Sequence, residues 1–235
     1  MNKNNLKEIV QERDAHVIHT QEWEELNLLK NKVLSEQKPS TNEIILYFKE
    51  EDLKDIPMGY SNLDDDLDYL MINLDQQFNS RFSLEYASGE FRHPIPYIVL
   101  KHEDKYFFIL RESGSGETRL IGKKGLVGGH VGSEDECDDA IGTIVGGMGR
   151  ELLEEVGVDA SKIKHLEIKG LIRSNDGVDA DHLGVIFLIE LNTDDIKAEE
   201  EGILSGIWIH KDDLHKHYDS LENWSRIVYD NILSK

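Results

Sequence analysis

An α/β fold is predicted for this chain, with strands flanking a central helix and a C-terminal helix in an α/β/α layering, behind a mostly helical N-terminal extension. Three observations carry this. Apolar runs of strand length recur from residue 95 onward. A glycine-rich stretch, RLIGKKGLVGGHV at 119–131, leads toward an acidic helical segment, GRELLEEVGV at 149–158. Ahead of residue 91, most apolar residues recur at helical spacing instead.

The elements follow in order. Thr20 precedes Trp23, Leu26, Leu29, Val33 and Leu34, the pattern of an amphipathic helix, and SEQKPSTNE at 35–43 follows as a loop. EIILYF at 43–48 reads as a strand. Leu63, Leu67, Leu70, Met71, Leu74 and Phe78 predict a second helix whose outer face carries Asp64, Asp65, Asp66 and Asp68, a solvated surface. IPYIVLKH at 95–102 and KYFFILRE at 105–112 predict two strands around a turn at Glu103 and Asp104. HLEIKGLIR at 165–173, HLGVIFLIEL at 182–191 and GILSGIWI at 202–209 predict three more. Asp219 and Glu222 suit a capping box for a last helix bearing Leu221, Trp224, Ile227, Val228 and Ile232. The change of texture divides the chain into an extension, 1–90, and a domain, 91–235. The apolar helix positions of the extension suggest a lid or a homodimer contact.

Composition narrows the function. A net charge of −21 disfavours nucleic acid polymers and anionic membranes as partners. Cys137 is the sole cysteine, so no intrachain disulfide forms; that fits a reducing cytoplasm, as does the N-terminus MNKNNLKEIVQERD, which lacks the apolar stretch of a secretory signal.

The chemistry concentrates in 149–158. On a helix, Glu151, Glu154 and Glu155 share a face. Bunched carboxylates raise one another's pKa unless a cation sits among them. Hard oxygen donors suit Mg²⁺, with Mn²⁺ as a substitute, and substrate phosphates complete such a shell. A small phosphorylated substrate is therefore expected.

This segment resembles the Nudix box, G-x5-E-x7-R-E-U-x-E-E-x-G-U with U aliphatic. Arg150, Glu151, Leu152, Glu154, Glu155, Gly157 and Val158 match its second half, and GGHV makes Gly129 its first glycine. RL-x-G before the glycine pair and HLG on a later strand resemble a subgroup of MutT-like predicted phosphoesterases. The resemblance spans roughly 91–233. It implies a mixed sheet and hydrolysis of a nucleoside diphosphate derivative, with Arg150, Glu151, Glu154 and Glu155 catalytic. It implies metal held by Glu151, Glu154, Glu155 and the Gly129 carbonyl, with Arg150 orienting Glu151. Leu152, Leu153 and Val156 would anchor the helix, and Gly157 would cap it. Arg119 and His182 are candidate substrate contacts, and Asp176, Asp179 and Asp181 a polar turn able to supply a base.

The first half of the box departs from the pattern. Twenty residues, 130–149, separate Gly129 from Arg150, where the family has thirteen. Gly142 stands where the pattern wants glutamate, and Glu134 and Glu136 lie near the right distance from Gly129. Gly142, Gly146 and Gly149 recur opposite the glutamate face, although interior glycines cost about 1 kcal/mol each against alanine. Either another backbone packs closely there, or the helix starts only near Gly147.

Two other readings stand beside hydrolysis. One is a nucleotide or sugar-nucleotide sensor without turnover, favoured by the displaced glutamate. The other is an isomerase of the isopentenyl-diphosphate type, which would need a cysteine placed better than Cys137. GETRLIGKK is not a P-loop, since no Ser or Thr follows Lys123 at the required place. His210, His215 and His217 lack the spacing of a structural zinc site.

Overall fold

The computed structural model describes residues 43–62, 74–86, 89–111, 122–198 and 204–235. The helix predicted around 20–34 falls outside them, as does most of the one predicted from Leu63. The end of that second prediction is corrected: Phe78 lies on a strand, Gln77–Ser80, because its neighbours pair with Ile44–Tyr47.

Nine strands form one mixed sheet: β1 (Ile44–Lys49), β2 (Gly59–Ser61), β3 (Gln77–Ser80), β4 (Phe91–His102), β5 (Lys105–Arg111), β6 (Lys124–Gly125), β7 (Ile163–Arg173), β8 (His182–Leu191) and β9 (Leu204–His210). Its main path runs β2-β7-β8-β4-β1-β3, and β5 joins β4 to β6 and β9. Among the described strands, β4 and β8 make the parallel pair, with His93 opposite His182. Both read as near-continuous apolar runs because both sheet faces are covered. Among the described residues, four short or medium α-helices accompany them: α1 (Arg81–Tyr86), α2 (Ala140–Val156), α3 (Leu214–His217) and α4 (Asn223–Val228).

The two layers follow from strand alternation. Ile98 and Leu100 of β4 with Val185, Phe187 and Ile189 of β8 meet Ile144, Met148 and Leu152 of α2. Tyr97 and Val99 with Ile186 turn the other way, onto Trp224 and Val228 of α4. The α/β/α arrangement is thus the one the sequence predicts.

α2 resolves the glycine question. It begins at Ala140, where the Asp139 side chain accepts the Gly142 N–H at 2.7 Å. The segment 132–139 then lies along its first turns. A Cβ at Gly146 would stand 3.0 Å from the Asp135 carbonyl oxygen, and one at Gly142 would stand 3.1 Å from Cys137 Cβ, while Gly149 faces open space. The added residues therefore form a strap that needs small residues beneath it. Gly157 ends the helix in the left-handed region, its N–H reaching back to Leu153. Leu152 and Val156 are buried as expected, but Leu153 is 57% exposed because it falls on the outer face.

Strands β1 and β2 are tied to the rest by a buried ion network. Arg92, 2% exposed, donates to Glu50, to the carbonyls of Ser174 (2.7 Å) and His182 (3.1 Å) and to Asn175 Oδ1 (2.7 Å). Arg173 also donates to Glu50. Burial raises the Glu50 pKa, yet the two guanidinium groups outweigh it and hold the carboxyl below its usual range. At the C-terminus the predicted capping box does not form: Glu222 is the N-cap of α4 and makes no side-chain cap, and the Asp219 carbonyl instead accepts from Lys123 and Arg226.

Candidate active site

The site is built where β4 loses its neighbour. On the edge of β4 away from β8, β1 pairs at Arg92 and β5 begins only at Leu100. The loop 126–131 enters the space between, and Ile98 donates to the Val127 carbonyl at 2.8 Å. Two adjacent glycines are pressed from opposite sides. A Cβ on Gly128 would lie 2.5 Å from the Pro96 carbonyl oxygen of β4, and one on Gly129 would run into the Glu151 carboxyl group of α2. The glycine pair is therefore what lets the loop run between strand and helix.

Arg150 organises the acidic face. It donates to Asp135 Oδ2 (2.9 Å), Glu151 Oε1 (2.7 Å), Glu154 Oε2 (3.1 Å) and the His130 carbonyl (2.7 Å). Burial alone would lower its pKa, but Asp135 and Glu151 more than reverse that, so it is a fixed cation. Asp135 supplies the carboxylate that the departure from the box left unassigned. Glu134 only comes to 4.0 Å and is largely exposed. Counting residues could not find Asp135, because the strap brings it back beside Arg150 through space. Burial pushes the Glu151 pKa up against the pull of Arg150. Glu154 is 60% exposed at its side chain, and Glu155 accepts the Gly128 N–H at 3.4 Å.

The other predicted contacts fall elsewhere. Arg119 lies outside the described residues. The His182 ring stands 5.3 Å from that of His93 and 5.6 Å from that of His130. Burial holds His93 neutral, pushing its pKa down to about 3, and lowers that of His130 as well. The ligand-capable nitrogens of these three histidines all lie within 4.8 Å of one another. The three glutamates are not drawn into so tight a group. His93 was missed in the sequence; its one signal is a histidine inside an otherwise apolar strand. Asp179 donates no base to the carboxylate face: it accepts from Asn223 at 2.6 Å, and burial raises its pKa against that bond. Cys137 is exposed beside Gly142, about 18 Å along α2 from Glu154 at 1.5 Å per residue.

No family model matches the chain. Protein YmaB of Bacillus subtilis is 30% identical over 145 residues, covering 60% of this chain and 70% of that protein. The crystal structure of Tm1382, a candidate Nudix hydrolase, is similar with a TM-score of 0.67 and 28% identity over 82% of this chain and 99% of that one. A NUDIX hydrolase from Nitrosomonas europaea aligns at a TM-score of 0.45 and 17% identity, over 61% of this chain and 90% of its own.

Proposed function

The chain belongs to the Nudix superfamily, and from that premise we propose that it is a Mg²⁺-dependent pyrophosphohydrolase. Its substrate would be a nucleoside diphosphate derivative or a related small diphosphate, cut within the diphosphate, and Mn²⁺ would substitute for Mg²⁺. The observation that carries this reading is the single face on which Arg150 braces Glu151 and Glu154 beside Gly129. The donor set fits a hard divalent cation: carboxylate oxygens, a backbone carbonyl and a buried Glu151 whose raised pKa marks a carboxylate in need of positive charge. Glu151, Glu154, Glu155 and the Gly129 carbonyl would hold the ion. When bound, Mg²⁺ supplies Lewis acidity toward the diphosphate oxygens and the attacking water.

The remaining steps belong to the chain. Arg150 fixes the Glu151 carboxylate by one charge-assisted hydrogen bond from Nη1, while its Nε and Nη2 fork is held by Asp135. One of the glutamates, or a carboxylate on a loop, would accept the proton of the attacking water. The Gly128–Gly129 backbone lets the loop lie directly against the Glu151 carboxyl group, which puts the Gly129 carbonyl beside the α2 glutamates. No described helix is long and apolar enough to cross a membrane; a cytoplasmic location is part of the proposal.

The test is product release from nucleoside triphosphates, ADP-ribose, dinucleoside polyphosphates, NADH and sugar nucleotides, with Mg²⁺ or Mn²⁺, and with Glu154→Gln alongside. Turnover of one class that falls by roughly 10²–10³-fold in the variant is expected, the usual scale for removing one electrostatic contributor. No turnover with tight nucleotide binding retained would contradict hydrolysis and favour a sensor.

A further inference from the structure

We propose that His93, His130 and His182 form a second metal site, separate from the carboxylate face, that takes one transition-metal ion of the Zn²⁺ type. The three nitrogens offered lie within 4.8 Å of one another. Two of the rings are set by rigid backbone, since His93 and His182 are register partners on the parallel strands β4 and β8. The third comes from the loop after Gly129. His130 is the junction of the two sites: its carbonyl accepts from Arg150, while its ring faces His93 and His182.

The polar atoms give the second, independent observation. His93 is 1% exposed, and neither its Nδ1 nor its Nε2 has a hydrogen-bond partner; His130 Nε2 is buried and unpartnered too. Buried polar atoms are normally satisfied, so unsatisfied ones call for an explanation. Simple ring packing does not provide it, because the tilted contacts at 5.3–5.6 Å would suit phenylalanine equally and leave no nitrogen stranded. A cation that accepts one nitrogen lone pair from each ring would take up one of the two His93 nitrogens and His130 Nε2. Imidazole selects Zn²⁺, Cu²⁺ or Ni²⁺ over Mg²⁺. Three histidines with a fourth position left to water or substrate match the donor count of an open zinc site. Tetrahedral ligation at about 2.0–2.1 Å sets ligand nitrogens about 3.4 Å apart, so a pair near the 4.8 Å limit would have to close by about 1.4 Å on binding.

The experiment uses the full chain, freed of metal with a chelator and returned to excess Mg²⁺ to saturate the carboxylates. Zn²⁺ is titrated by calorimetry, and Co²⁺ by its visible absorption as a spectroscopic substitute. One equivalent of each is expected, with Zn²⁺ displacing Co²⁺. His130→Gln and His182→Gln should each weaken binding by about 100-fold or more, beyond the usual cost of disturbing outer partners. Glu154→Gln should leave it unchanged. Circular dichroism verifies the fold of each variant, and either histidine variant decides the matter if the other fails to fold. Three results would overturn the proposal: no Zn²⁺ binding by the parent protein, binding that survives both histidine substitutions, as a site at His210, His215 or His217 would, or binding lost in Glu154→Gln.

Discussion

The two sides of His130 solve opposite problems. Toward α2, charge is abundant and already partnered: Arg150 spreads its donors over Asp135, Glu151 and Glu154, and the glutamates stay apart. Toward β4 and β8, three histidine rings converge, with both nitrogens of His93 and Nε2 of His130 buried without a hydrogen-bond partner. In the first arrangement Glu151 and the Asp135 side chain are buried and held by Arg150, while Glu154 is largely open to solvent. The second is fixed in place by strand register. Gly129, beside the oxygen donors, and His130, among the nitrogen donors, are thus neighbours in the chain.

The comparison can be broken most severely at Arg92. It braces the carbonyls of Ser174 and His182 on the histidine side and pairs with Glu50. Arg92→Leu leaves those groups buried without their cation, and a loss of about 3–5 kcal/mol is expected in denaturant unfolding. A loss under 1 kcal/mol would show that the network is not what holds this side.

A pH series separates the sides next. The folded pKa of His93, about 3, lies below the 6.5 of an ordinary histidine, so between those values the unfolded chain binds more protons than the folded one. Stability from this group is present above about pH 6.5 and is lost as pH falls toward 3, by at most about 1.4 kcal/mol per unit. His93→Phe should flatten that slope; an unchanged slope would place the acid sensitivity elsewhere, with the paired carboxylates.

Smaller effects sharpen the carboxylate side. Gly129→Ala should push the Glu151 carboxyl aside and lower turnover by about tenfold, or about 1.4 kcal/mol, with little change in unfolding midpoint. Gly149→Ala, in open space, should stabilise by about 0.5–1 kcal/mol, while Gly146→Ala should gain less or lose, because the Asp135 carbonyl lies where its methyl would go. Equal gains at both would show that the strap does not press on α2.

The carboxylate face was legible in the sequence because its residues are contiguous and share one helix. The strands were legible too, since β4, β5, β7 and β8 are apolar runs bounded by turns. Asp135 was hidden because seven added residues fold back through space, so distance along the chain misleads. Leu153 was misplaced because an unbroken aliphatic pair was read as core when only Leu152 faces inward. Phe78 was misread because a helical spacing ran on into a short edge strand whose pairing is non-local. The histidine cluster draws on residues 93, 130 and 182, and only the parallel β4–β8 register brings the outer two together.

The most direct test of the central claim, a hydrolytic cation site on α2, is Mn²⁺ binding to the full chain followed by electron paramagnetic resonance, comparing the parent with Glu154→Gln and His130→Gln. At least a tenfold loss of affinity in Glu154→Gln, with His130→Gln close to the parent, is the predicted result. Equal Mn²⁺ affinity in the parent and Glu154→Gln would contradict it.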